Sequence, residues 1–185
     1  MLKDRELIEQ LTQKSEAAFK WLVESYGKVV FNTILNIVQD ETEAEDAAQE
    51  VFIKLYESIS DFRQESSLST WIHRLAINKA LDKLRRRKSR NRFRHLLPQW
   101  IAGEEDPAEI NFHHPGVLLE NKEKAAVLFK AINNLPEKQK IAFTLIKVQG
   151  MKYEEVSIIM NQHIKAIESL ISRAKQKLQQ QLKNI

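Results

Sequence analysis

The segment from Ser67 to Arg94 constrains this 185-residue chain more than any other. Its apolar residues recur at steps of three and four, as in an amphipathic helix: Leu68, Trp71, Ile72, Leu75, Ile77, Leu81 and Leu84. From Lys83 to Arg94, twelve residues carry eight cations and no acid. One or two cations would suit the dipole of a helix end, so eight favour a polyanionic partner such as a phosphate backbone over a merely solvated helix end.

The composition favours an all-α fold. Hydrophobic residues make up 43% of the chain and charged residues 29%, with only 4 glycines and few alternating β-branched stretches. Because cysteine is absent, neither a disulfide nor a thiolate metal site is expected. No apolar run approaches a membrane span of roughly 18 residues, and the N-terminus lacks a signal-peptide core. We therefore expect a cytoplasmic protein with no membrane insertion.

Charge divides the chain into four blocks. The net charge is −6 over residues 1–60, +8 over 61–94, −4 over 95–116 and +6 over 117–185. Two basic blocks predict two polyanion contacts, and the acidic N-terminal surface predicts a different partner. The domains expected are an N-terminal helical bundle (1–94), a flexible linker (95–116) and a C-terminal four-helix domain (117–185). The linker contains three prolines and two glycines, and its His113-His114 pair lacks the spaced partners of a metal site.

Local signals place the helix ends. Ser15 is the predicted cap of a long second helix, and Thr42 with Glu45 predicts a capping box for the third. Pro136 is the predicted first residue of a later helix. Further on, a short helix from Tyr153 to Met160, a tight turn and a long helix from Ile164 to Leu182 form a predicted helix-turn-helix.

Three motifs, in this order, resemble those of bacterial extracytoplasmic-function sigma factors. The first is EDAAQEVFIKLY at 45–56, the second is DFR at 61–63 followed by SLSTWIHRLAINKALD from Ser67 to Asp82, and the third is the helix-turn-helix. The resemblance covers nearly the whole chain outside the linker. It implies a protein that binds core RNA polymerase and directs transcription initiation at promoters, with no catalytic residues, no cofactor and no metal.

The first motif implies the contact with core polymerase. The residues assigned to it are Asp46, Gln49, Glu50 and Lys54. From the sequence alone, these side chains form an ordinary solvated helix face, and only the resemblance marks them as a binding surface. It also allows for an anti-sigma protein as a further partner.

The second motif implies contact with the −10 element as melted single strand. Candidate contacts are Arg63, Gln64, Ser66, Ser67, Ser69, Arg74, Asn78, Lys79, Lys83, Arg85, Arg86 and Arg87. The polar loop 61–69 and Asn78 are predicted to contact unpaired bases, and the cations are predicted to contact the backbone. Trp71 fits better in the core at this spacing.

The third motif implies contact with duplex DNA at the −35 element. Candidate contacts are Lys165, Ser169, Ser172, Arg173, Lys175 and Lys177. Here the chain departs from the family pattern: Asn161 stands where glycine is usual, Lys152 replaces a Ser or Thr cap, and Glu168 would repel phosphate. The alternative function is a helix-turn-helix regulator that acts without core polymerase.

Overall fold

The computed structural model describes residues 2–94 and 122–183, and both ranges are helical without a β-strand. This confirms the predicted fold class. The α-helices are α1 (Leu2–Thr12), α2 (Glu16–Val38), α3 (Glu41–Ser58), α4 (Leu68–Arg94), α5 (Lys122–Asn133), α6 (Glu137–Phe143), α7 (Tyr153–Met160) and α8 (Ile164–Leu182). A 3₁₀ turn spans Ile59–Asp61, and a π-helical turn, Thr144–Val148, continues α6. The predicted linker 95–116 lies outside the described residues.

Helices α2, α3 and α4 pack against one another as an N-terminal bundle. Leu22, Leu55 and Ile72, one from each helix, are completely buried at its centre. Burying a side chain of this size contributes about 1.5–3 kcal/mol, so the apolar stripe predicted from the sequence of α4 holds that helix in place. The cationic end of the segment belongs to the same helix.

Helix caps fix how α2 meets α3. Ser15 Oγ accepts a hydrogen bond from the Ala18 backbone N–H at 3.4 Å, which confirms the predicted cap of α2. The predicted Thr42 capping box is wrong: Asp40 is the cap of α3, and its Oδ1 accepts from the Glu43 N–H at 2.8 Å. Asp40 rather than Thr42 is the cap because α2 ends only two residues before Asp40. The extended backbone that a cap requires is therefore found at Asp40.

The C-terminal half is organised around α8, which packs against α5, α6 and α7. The buried residues of α8 recur at steps of three and four: Ile167, Ile171, Ala174 and Leu178. Asn161 ends α7 in the left-handed conformation, with φ of 50°, as the sequence suggested for a residue standing in for glycine. Pro136 is the cap preceding α6 rather than its first residue.

The two halves meet along a contact that we call the seam. Gln39 Nε2 donates to the Phe129 carbonyl oxygen at 2.8 Å, and Thr33 Oγ1 lies 3.4 Å from Gln149 Oε1. Thr33, Asn36 and Gln39 follow one another at steps of three on α2, and each is at least 98% buried. On its α2 side the seam therefore includes buried amide and hydroxyl groups beside apolar residues such as Ile37.

Candidate nucleic-acid interface

The loop before α4 is held by aromatic packing and a helix cap. The Phe62 and Trp71 rings stack with centroids 4.9 Å apart, and the half-buried Trp71 also packs against the core. Ser67 Oγ accepts from the Thr70 N–H at 3.1 Å, which caps α4. Ser67 therefore has a structural role in addition to its predicted contact with DNA.

Between these anchors the polar side chains are accessible. Arg63 and Gln64 are exposed, while Ser66 and Ser69 are partly buried. Gln64 has a positive φ of 55°, which turns the chain sharply toward α4. The loop thus presents hydrogen-bond donors and acceptors between two anchored ends, as contact with unpaired nucleotides requires.

Arg74 and Asn78 follow on the first turns of α4, and they face the C-terminal half. Arg74 Nη2 donates to the Ile158 carbonyl oxygen of α7 at 2.5 Å. Both residues line a cavity of about 600 Å³ whose other wall includes Ile158 and Asn161 of the helix-turn-helix. Arg74 is therefore engaged at the seam, whereas Asn78 lines the cavity but remains exposed.

Lys79 and Lys83 face α3 instead. Lys79 Nζ lies 2.9 Å from Glu50 Oε2, and Lys83 Nζ lies 3.3 Å from Glu50 Oε1 and 3.9 Å from Asp46. The hydrogen bond from Lys79 lowers the pKa of Glu50 below its ordinary value, with Lys83 adding to the effect. Two cations predicted to contact DNA and two acids predicted to contact polymerase thus pair within the bundle.

The three consecutive arginines have different surroundings. Arg85 lies 3.3 Å from Glu137 across the seam and 3.6 Å from Asp82. Arg87 donates to the Val38 carbonyl oxygen at 2.9 Å and lies 3.7 Å from Glu43, both in the N-terminal bundle. Arg86 is exposed, and no carboxylate among the described residues pairs with it. It is the arginine most available to a phosphate.

The outer face of α3 carries a residue that the sequence analysis missed. Gln49 and Lys54 are exposed there as expected, and Ile53 between them is 58% exposed. A large exposed aliphatic side chain amid polar neighbours is typical of a binding surface. The signal in the sequence that could have identified Ile53 is that this apolar residue does not share the periodicity of the buried positions Val51, Phe52 and Leu55.

The second helix of the helix-turn-helix presents its cations to solvent. Exposed side chains on α8 are Lys165, Ser172, Arg173, Lys175 and Lys177, and Ser169 is half-buried. The first helix of the motif, α7, is capped at its start, where Glu155 Oε2 accepts from the Lys152 backbone N–H at 2.9 Å. That bond supplies part of the capping that Lys152 itself cannot provide.

Two negative findings apply to residues 2–94 and 122–183. No helix in these ranges is long and apolar enough to cross a membrane. No group of three His, Cys, Asp or Glu side chains is placed to hold a metal ion.

Both halves match known families and known folds. The description Sigma-70 region 2 matches residues 22–90, and Sigma-70, region 4 matches residues 125–178. In fold, the chain resembles CnrH in complex with the cytosolic domain of CnrY, with a TM-score of 0.67 at 21% identity over 98% of this chain and 97% of that one. It also resembles the sigma factor RpoE in complex with the anti-sigma factor NepR from Bartonella quintana, with a TM-score of 0.65 at 24% identity over 89% and 96%.

Curated relatives match along almost their whole length. The RNA polymerase sigma-H factor of Pseudomonas aeruginosa is 31% identical, over 97% of this chain and 94% of that protein. The ECF RNA polymerase sigma-E factor of Haemophilus influenzae is 31% identical over 98% and 96%, and that of Escherichia coli K12 is 30% identical over 95% and 92%. With both sigma-70 regions present in order on a helical scaffold, the chain belongs to the extracytoplasmic-function sigma factors of the sigma-70 family.

Proposed function

We propose that this protein binds core RNA polymerase and directs initiation at promoters that carry −10 and −35 elements. The observation that carries the proposal is the presence of both sigma-70 regions in one chain, at residues 22–90 and 125–178. A regulator that acts through the helix-turn-helix alone would need only the second. The protein acts by binding in the cytoplasm and is not itself an enzyme.

Core polymerase is proposed to bind the outer face of α3. Its residues are Asp46, Gln49, Glu50 and Lys54, with Ile53 added as an apolar centre. A buried aliphatic anchor within a charged rim provides affinity, while the charges set orientation and the rate of encounter. The ion pairs of Glu50 with α4 couple this face to the DNA-binding helix.

Promoter DNA is proposed to contact the loop 61–69 and α4 at −10, and the exposed side of α8 at −35. These elements are named for positions about 25 base pairs apart, which is about 85 Å of duplex at 3.4 Å per base pair. At the seam, α7 touches α4 directly through Arg74 and Ile158. Because the two DNA-binding surfaces cannot span the promoter in this arrangement, the seam opens when the protein engages both elements. A 22-residue linker, about 70 Å when extended, gives the halves room to separate.

Run-off transcription with purified core polymerase tests the proposal. We expect specific transcripts only when core polymerase and this protein are both present, and weak binding of the free protein to the same duplex promoter. Tight binding of the free protein to a duplex operator, without transcripts on addition of core, would instead support the regulator.

A further inference from the structure

A second cavity lies at the seam, between the cationic end of α4 and the turn that joins α5 to α6. It measures about 380 Å³. Its polar lining is Arg85, Arg87, Lys88, Asn133, Glu137 and Lys140, and its apolar lining is Ile37, Leu81, Leu84, Leu135 and Ile141. Four cations face one carboxylate, so the cavity is electropositive. Its volume falls within the range of small-molecule sites, about 300–1,000 Å³.

Lys140 is the most deeply buried charged residue of this lining. It is only 3% exposed, and its Nζ donates to Asn133 Oδ1, a neutral acceptor. Among the described residues no carboxylate lies within ion-pair distance of it. Burial, together with the charge of Arg87, lowers the pKa of Lys140 to about 8. A buried ammonium without a counter-charge is costly to the fold, and a bound anion would remove that cost.

The remaining cations differ in how far they are already neutralised. Arg85 and Arg87 have acidic partners, Glu137 at 3.3 Å and Glu43 at 3.7 Å. Lys88 is exposed at the mouth and, within the described part of the chain, has no acidic partner. Two uncompensated charges, Lys88 at the mouth and Lys140 at depth, therefore suit an anion with more than one charged group.

We propose that this cavity binds a nucleoside diphosphate. The two phosphates lie between Lys140 and Lys88, with Arg87 alongside, where charge-assisted hydrogen bonds are strongest. The apolar lining provided by Leu84, Leu135 and Ile141 contacts the base and sugar. A duplex phosphate backbone does not suit this site, because Lys140, at 3% exposure, is buried between the two halves.

The ligand would join the two halves of the molecule. Arg87 and Lys88 come from α4, whereas Lys140 and Asn133 come from the C-terminal half. A ligand that contacts both walls binds only the arrangement in which they face each other, so it shifts the population toward the closed seam. In that arrangement Arg74 remains bound to the Ile158 carbonyl oxygen. This consequence depends on the proposed function, whereas binding itself does not.

Calorimetric titration of the full-length protein tests the site, with ADP and inorganic pyrophosphate as probes at about 150 mM salt. We expect saturable binding of ADP with a Kd below about 1 mM, and weaker binding of pyrophosphate, which lacks the base and sugar. The variant Lys140→Met should weaken ADP binding at least about tenfold. The control Lys138→Met removes the same charge from an exposed position on the same helix and should change the Kd by less than about twofold.

Equal losses in the two variants would show that net charge alone attracts the anion and would overturn the proposal, as would the absence of saturable ADP binding. Equal affinity for ADP and pyrophosphate would show that the apolar lining does not contact a base and sugar, and would overturn the assignment of a nucleoside diphosphate. If Lys140→Met lost its helical circular dichroism, Lys140→Gln would replace it in the same comparison. Because no polymerase is present, run-off transcription can succeed or fail independently of this result.

Discussion

Lys140 links the stability of the protein to pH through a single side chain. Its pKa is about 8 in the folded protein, against an ordinary value of 10.5, because burial and Arg87 disfavour the charged form. Between these pH values the unfolded chain holds more protons than the folded one, so stability rises with pH across the window and is independent of this group below it. The charged groups that line the cavity with Lys140 are Arg85, Arg87, Lys88 and Glu137.

The predicted gain is up to about 3 kcal/mol from pH 8 to 10.5. Urea unfolding at several pH values would measure it, with Lys140→Met as the reference in which this dependence is absent. Parallel pH profiles for the wild type and the variant would contradict the burial of a charged lysine at the seam.

The neighbouring arginines provide a second test at the scale of single residues. Among the described residues Arg86 has no acidic partner. Arg85 is released when the seam opens, and Arg87 remains bound to Val38 and Glu43 within the bundle. We expect Arg86→Ala and Arg85→Ala each to reduce the salt dependence of holoenzyme binding to promoter DNA, by about 0.7–0.9 in the log–log slope. Arg87→Ala, the matched control, should leave the slope unchanged and destabilise the fold. A loss of slope in the Arg87 variant alone would reverse this assignment.

Among the helices, α4 shows how much the sequence could predict. Its apolar period identified the buried stripe, and the helix-turn-helix and the Ser15 cap followed from equally local patterns. Periodicity identifies the buried face of a helix but not the element that covers it. Local patterns therefore could not predict that Lys79 and Lys83 pair with α3. Nor could they predict that Arg74 contacts α7.

Competing local signals account for the error at the start of α3. Asp40 and Thr42 are both good cap residues two positions apart, and each has a suitable residue three positions later. The end of the preceding helix decides between them, since α2 stops at Val38 with Gln39 in the left-handed conformation. The assignment of individual residues to −10, −35 and polymerase stays a prediction, because exposure alone does not identify a partner.

For the molecule as a whole, the closed seam is expected to be incompatible with initiation. The chain has no cysteine, so a pair can be introduced without background reaction, and Thr33 and Gln149 meet across the seam outside the proposed binding residues. The double variant Thr33→Cys/Gln149→Cys, joined by a bismaleimide that contains a reducible disulfide, should lose at least about 90% of its run-off activity, since the two surfaces can no longer reach sites about 85 Å apart.

Reduction should restore transcription to the level of the untreated double variant. Each single-cysteine variant, treated with the same reagent, controls for modification at that position. Full activity of the crosslinked protein before reduction would show that initiation does not require the seam to open.

The polar lining of the seam has a consequence for the lifetime of the separated form in a crowded cell. When the halves part, Thr33, Asn36 and Gln39 expose hydroxyl and amide groups that water solvates readily. The hydrocarbon interior of the bundle stays enclosed by its own helices. Ile37, Leu81, Leu135 and Ile141 also line the seam, so parting exposes hydrocarbon as well. The polar groups therefore reduce the tendency of the parted chain to aggregate, and binding to a partner would remove what remains of it.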